Sequence, residues 1–176
     1  MTDLLELSEL AARIVSGSTL ALPPDYAGPP MAATRALLER ETGDLSLVSV
    51  PQTGMQADLL IGAGRVRAVE SAAVTLGEFG TAPCFARGVK AGAFELRDST
   101  CPAIHAGLQA SEKGLPFMVL RGIIGSDLLA HRADWRVLQN PFAVDNAGTG
   151  GAPADDPIVA LPAIRPDVAL IHAPLA

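Results

Sequence analysis

The stretch Ala57-Asp58-Leu59-Leu60-Ile61-Gly62-Ala63-Gly64-Arg65-Val66-Arg67, "ADLLIGAGRVR", carries an apolar run into a Gly-Ala-Gly. In dinucleotide-binding folds such a run is the point where a strand hands over to a phosphate-gripping helix. The fingerprint then needs a third glycine or alanine three places on, where the helix presses against the strand. Arg67 stands there instead. An acid about 20 positions further should hold the ribose. Glu70 and Glu78 come too early for it, and Glu95 too late. No Gly-Lys-Ser/Thr follows any glycine cluster, so a P-loop is excluded as well. The glycines must serve another end, and the short-helix reading of "MQADLLIG" supplies one: Gly62 stops a helix and lets the next strand start tightly.

Outward from that point the chain alternates short apolar runs with helical ones. Residues 3–15 read as an amphipathic helix capped by Thr2 or Asp3, with Leu4, Leu7, Ala11 and Ile14 on one face. "TLAL" (19–22) is a strand, "PPDYAGPP" (23–30) a stiff loop, and Met31–Arg40 a helix. "LSLVSV" (45–50) is a buried strand, and "RVRAVESAAVTL" leads back to the sheet after the helix. Helix 83–90, strand 93–97, helix 102–112 and strand 117–120 continue the pattern. After "RGIIGSDLL" and "DWRVLQNPF", residues 145–157 form a flexible loop, and "IVALPAI" and "DVALIHA" close the chain as buried runs. Strands alternating with helices predict an α/β fold, an open and mainly parallel sheet with helices on both faces, in a single domain over 1–176. Trp135 and Phe142 read as core anchors, and His172 as a core histidine in the last strand.

Bulk composition narrows the partners. The 176 residues carry a net charge of −6, and the 13 Lys and Arg are scattered. Only 4% of residues are aromatic. No basic footprint or stacking surface addresses nucleic acid or an anionic membrane. The acidic N-terminus "MTDLLELSELAARIV" lacks the basic region of a signal or transit peptide. No apolar run approaches the ~18 residues of a membrane helix. Cys84 and Cys101 lack metal-type spacing and read as ordinary thiols of a reduced, cytoplasmic protein. His105, His131 and His172 share no spacing that would gather a metal.

The motifs "ADLLIGAGRVRAVESAAVTLGEFGTAPCFARGVKAG", "GLPFMVLRGIIGSDLL", "NPF" and "ALPAIRPDVALIHAPLA" together resemble the A-type (alpha) subunit of family I coenzyme A transferases. Glutaconate CoA-transferase and the 3-oxoacid CoA-transferases belong to that family. The resemblance implies a two-subunit enzyme, fused or separate, acting on an acyl-CoA and a carboxylic acid. Coenzyme A would enter as substrate, with no metal or other cofactor. It implies covalent catalysis by a glutamate of a Ser-Glu-Asn-Gly motif, carried by a B-type partner. No such motif occurs here, so no catalytic nucleophile is expected in this chain. The family's acidic segment after the final strand is also missing, which predicts a truncated chain. Two other readings stay open: a subunit of a ring-cleaving acyl-CoA hydrolase of the same superfamily, and a non-catalytic binding or structural subunit.

Seven residues are candidates for lining the site. Where the family shows a Gly-Gly-Phe turn after the first strand, this chain has the proline-rich loop with Pro24 and Tyr26, which implies an altered acyl pocket. Glu78, Phe79 and Gly80 stand in "LGEFG", where a strand end meets the ligand crevice of an α/β sheet. Glu78 is a nucleophile, a base, an orienting group or an exposed loop acid. Thr100 and Cys101 open a helix; Thr100 reads best as its cap, and Cys101 has no His or Asn companion at a known spacing.

Overall fold

The computed structural model describes residues 4–143 and 155–173. The chain divides into two compact units, Met1–Ile104 with Arg165–Ala176, and His105–Ile164.

The first unit is built on a five-stranded parallel sheet in the order β4-β3-β2-β1-β8. Its strands are β1 (Thr19–Leu22), β2 (Leu45–Ser49), β3 (Val66–Ser71), β4 (Glu95–Asp98) and β8 (Val168–Ala169). Leu20 pairs with Leu47 on one side and Val168 on the other, so β1 is an inner strand. Four helices connect or flank these strands: α1 (Leu7–Ala12), α2 (Met31–Leu38), α3 (Met55–Gly62) and α4 (Pro83–Ala91). Parallel neighbours need a crossover, which α2, α3 and α4 supply in turn. Leu20, Leu22, Leu37, Leu45, Leu47, Leu60 and Val69 are essentially sealed from solvent and form the core. At roughly 1.5–3 kcal/mol per buried large aliphatic side chain, this cluster is the main force closing the unit.

The second unit contains most of α5 (Cys101–Glu112), β5 (Phe117–Leu120), the single turn α6 (Leu128–His131), β6 (Arg136–Gln139) and β7 (Pro157–Pro162). Its strands form a separate antiparallel sheet, β5-β7-β6, with Val119 opposite Ala160 and Val137 opposite Val159. The sequence pattern assigns these strands to the one parallel sheet. An apolar run carries no record of direction, and antiparallel neighbours need no helical crossover; of these strands β7 is buried, while β5 and β6 keep exposed side chains. Trp135 is buried as expected, under the Arg132 guanidinium at 4.4 Å from its ring centroid.

The structure departs from the sequence pattern at several further points. Helix α1 is shorter than 3–15 and starts after Glu6, which forms a capping box with Glu9 (Glu6 N to Glu9 Oε2, 3.1 Å); Thr2 and Asp3 lie outside the described residues. Phe142 is 85% exposed and anchors no core. β8 is short, Ala169 and His172 are exposed and Ile171 is 76% exposed, so within residues 167–173 only Leu170 is buried. Most of the loop expected at 145–157 lies outside the described residues.

The Gly-Ala-Gly closes α3 in a Schellman motif. The Gly64 N–H reaches Ile61 O at 2.9 Å and the Arg65 N–H reaches Leu60 O at 3.0 Å, with Gly64 at φ +68°. Gly62 does something else: a Cβ there would stand 2.8 Å from Cys84 Sγ, so its bareness lets α4 pack against α3. Gly62→Ala gains about 1 kcal/mol of helix propensity but meets an overlap costing roughly 1–3 kcal/mol. We expect Gly62→Ala alone to lower the urea midpoint, and the same change in a Cys84→Ala background to raise it. A midpoint that moves identically in both backgrounds refutes the contact.

Helix α4 is capped at a distance. Its own N-cap Ala82 has no side chain to offer, and the buried Asp58 of α3 accepts the Phe85 N–H at 2.8 Å. A carboxylate on an open helix N-terminus satisfies an orphan donor and the helix dipole together. Asp58→Ala should cost about 1–2 kcal/mol in chemical denaturation. A loss below about 0.3 kcal/mol would show that the cap is idle.

Candidate functional site

The loops that leave the carboxyl ends of β1, β2 and β3 converge on a cleft of about 450 Å³. Pro24, Asp25 and Tyr26 come from the first loop, Gln52 and Thr53 from the second, and Thr75 to Phe79 from the third. This is the edge at which open parallel sheets bind ligands, because the helix N-termini and the loops face it together.

The first wall is held by α3. Both Asp25 carboxylate oxygens accept the Met55 N–H, at 2.9 and 3.2 Å, so the loop after β1 caps the helix after β2. The N-cap residue itself, Gly54, makes room for this: a Cβ on it would lie 2.2 Å from Asp25 Oδ2 and 2.5 Å from Thr75 O. The wholly buried Gln56 adds a second tether, Nε2 to Pro23 O at 2.6 Å. Pro24 is buried, residues 25–27 make one 3-10 turn, and Gly28 at φ +72° ends it. Tyr26 is thereby carried outward, 78% exposed, on a backbone pinned at both sides.

The second wall is the turn 75–80. The Leu76 N–H and the Thr75 hydroxyl both bond Gly80 O, at 2.8 and 3.0 Å, and Gly77 and Gly80 take positive φ of 66° and 87°. Only glycine adopts such angles cheaply, so the turn needs both. Glu78 and Phe79 sit at its tip, both exposed, Phe79 at 83%. Between the walls Thr53 is anchored through its backbone, its N–H to Ala73 O at 3.1 Å and its carbonyl to the Thr75 N–H at 2.9 Å. The Thr53 hydroxyl and Gln56 Oε1 are buried with no hydrogen-bond partner among the described residues. Such groups are costly to leave unpaired.

Of the seven candidates, Pro24, Tyr26, Glu78 and Phe79 line this cleft. Gly80 shapes it through the turn without lining it. Thr100 and Cys101 follow β4 and are absent from the lining. Thr100 Oγ1 accepts the Ala103 N–H at 3.3 Å, as a helix cap does, and Cys101 is an exposed thiol. His105 and His131 are exposed, and His172 lies against Gly28, 3.3 Å from where its Cβ would be. Sequence reasoning overlooks Asp25, Gln52, Thr53 and Thr75. Their signal is position: polar residues shortly after an apolar run, with a proline or glycine close by.

No family model matches the sequence. The chain is 30% identical over 174 residues to the cholesterol ring-cleaving hydrolase IpdA subunit of Mycobacterium tuberculosis (strain H37Rv), over 94% of this chain and 55% of that one. It is 32% identical over 177 residues to the A-type subunit of 3-oxoadipate CoA-transferase from Pseudomonas knackmussii, over 98% and 58%. Among solved structures, glutaconate coenzyme A-transferase from Acidaminococcus fermentans matches with a TM-score of 0.81 and 25% identity, over 98% of this chain and 56% of that one. The chain therefore spans little more than half the length of these relatives. The likeness in sequence and in fold to the A-type subunits of family I coenzyme A transferases runs along nearly all of this chain.

Proposed function

We propose that this chain forms the A-type wall of an acyl-CoA:carboxylate CoA-transferase site and works in the cytoplasm with a B-type partner that brings the nucleophile. The observation that carries the reading is the cleft at the carboxyl ends of β1, β2 and β3, in a chain 32% identical to the A-type half of a transferase. Coenzyme A is a substrate in this scheme, and no metal or other cofactor takes part.

The chemistry divides between the subunits. A glutamate carboxylate of the partner attacks the thioester carbonyl and expels CoA as thiolate, leaving an acyl-glutamyl anhydride. The thiolate attacks the glutamyl carbonyl, releases the first acid and leaves a glutamyl-CoA thioester. The second acid then runs the sequence backwards and departs as its CoA ester. This chain's contribution is to seat the acyl end in the cleft, with Pro24 and Tyr26 on one side and Glu78 and Phe79 on the other. Positioning of this kind supplies a large share of the rate by lowering the entropy cost of the encounter.

The likeness to a ring-cleaving hydrolase subunit favours a second reading, in which water replaces the acceptor acid. One set of measurements separates the two. The chain alone should not exchange labelled carboxylate into acyl-CoA, whereas the chain co-purified with its B-type partner should. Borohydride should then trap a thioester on the partner's glutamate and none on Glu78 of this chain. Trapping on Glu78 would move the nucleophile here. Release of free acid with no dependence on an acceptor would favour the hydrolase, and no reaction of acyl-CoA with the partner present would favour a non-catalytic subunit.

A further inference from the structure

We infer that the cleft selects acyl groups with no second carboxylate, seating an uncharged, largely apolar body between Tyr26 and Phe79, and that Glu78 is the residue that turns away acyl chains ending in a carboxylate. The inference rests on the reading of the cleft as the acyl site and names its substrate class.

Two of the residues lining the cleft are ionisable acids, Asp25 and Glu78, and among the described residues none of the lining is Lys, Arg or His. Asp25 spends both oxygens on the Met55 N–H, where the helix N-terminus offsets much of its charge. Glu78 has a different setting. It stands at the tip of a turn locked by two hydrogen bonds to Gly80 O, so the backbone that carries its carboxylate stays at the cleft instead of swinging away as a loose loop. A second anion entering the cleft would meet it with no cation in the described lining to compensate.

The remaining walls suit an apolar guest. Tyr26 and Phe79 project from opposite loops with 78% and 83% of their surface open, and Leu76 and Pro24 lie beside them. Aromatic rings give up contact area at low entropic cost, because they have two side-chain torsions and here stand on fixed turns. The polar groups that remain, the Tyr26 hydroxyl and the amide of Gln52, can serve a neutral oxygen on the guest, but they do not balance a full negative charge. Two of the proteins this chain resembles are named for dicarboxylates. The charge in this cleft sets it apart from that class.

Hexanoyl-CoA and adipyl-CoA test this directly, since they differ only in the terminal carboxylate. With the chain and its B-type partner assembled, kcat/KM should favour hexanoyl-CoA as donor. Glu78→Gln should raise the adipyl-to-hexanoyl ratio about tenfold, or about 1.4 kcal/mol, the size of a like-charge contact at a part-exposed site. Glu78→Arg should raise it further. A wild-type preference for adipyl-CoA, or a ratio unmoved in both variants, overturns the inference. If neither donor reacts, calorimetry of hexanoyl- and adipyl-pantetheine on the same assembly decides. Tighter hexanoyl binding whose margin shrinks in Glu78→Gln upholds the cleft's selectivity while the transferase reading falls. Equal binding, or binding of neither, overturns the selectivity itself.

Discussion

The Asp25 carboxylate on the Met55 N–H is the interaction on which the candidate site depends. It ties the loop after β1 to the helix after β2, and so joins the ends of two neighbouring parallel strands that no strand pairing reaches. Its geometry is permitted by an absence, the missing Cβ of Gly54, without which the carboxylate and the backbone of Thr75 could not approach. Three loops thus meet at one point, and the cleft is the space they enclose. A proline-rich loop is well suited to this arrangement, since its unfolded form has little freedom to lose.

The same device recurs one helix further on, where Asp58 of α3 caps α4. Neither helix carries a capping side chain at its own N-cap, Gly54 or Ala82. Each N-terminus is completed by a carboxylate from an earlier part of the chain, Asp25 for α3 and Asp58 for α4. Local helix signals are traded for tertiary ones, and helix formation becomes coupled to sheet assembly. Both acids are thereby committed to structure, which leaves Glu78 as the acid of the cleft available to a ligand. The site's polarity follows from this allocation.

Several features of the cleft are legible in the sequence alone. Tyr26 and Pro24 fall in a loop after a strand, and "LGEFG" places Glu78 between two glycines, so both walls follow from strand ends. Asp25, Thr53 and Thr75 are not legible in this way, because a small polar residue after a strand has the same sequence signature whether it faces a ligand, caps a helix or faces water. Thr100 and Cys101 show the converse. They sit at the carboxyl edge of the same sheet, after β4, but the space that makes a site is formed by the loops of β1, β2 and β3.

By itself the sequence determined the alternation of strands and helices, the parallel sheet of β1 to β4, the helix stop at Gly62 to Gly64 and the family resemblance. These rest on local periodicity, glycine conformation and motif order, all of which are properties of contiguous residues. Only the tertiary structure decided that β5, β6 and β7 form an antiparallel sheet of their own, that Phe142 and His172 are exposed, and that Asp25 and Asp58 serve helices other than their own segment. Strand direction, exposure and remote capping depend on which distant residues come to lie beside one another. An apolar run or a lone carboxylate carries no record of its neighbour in space.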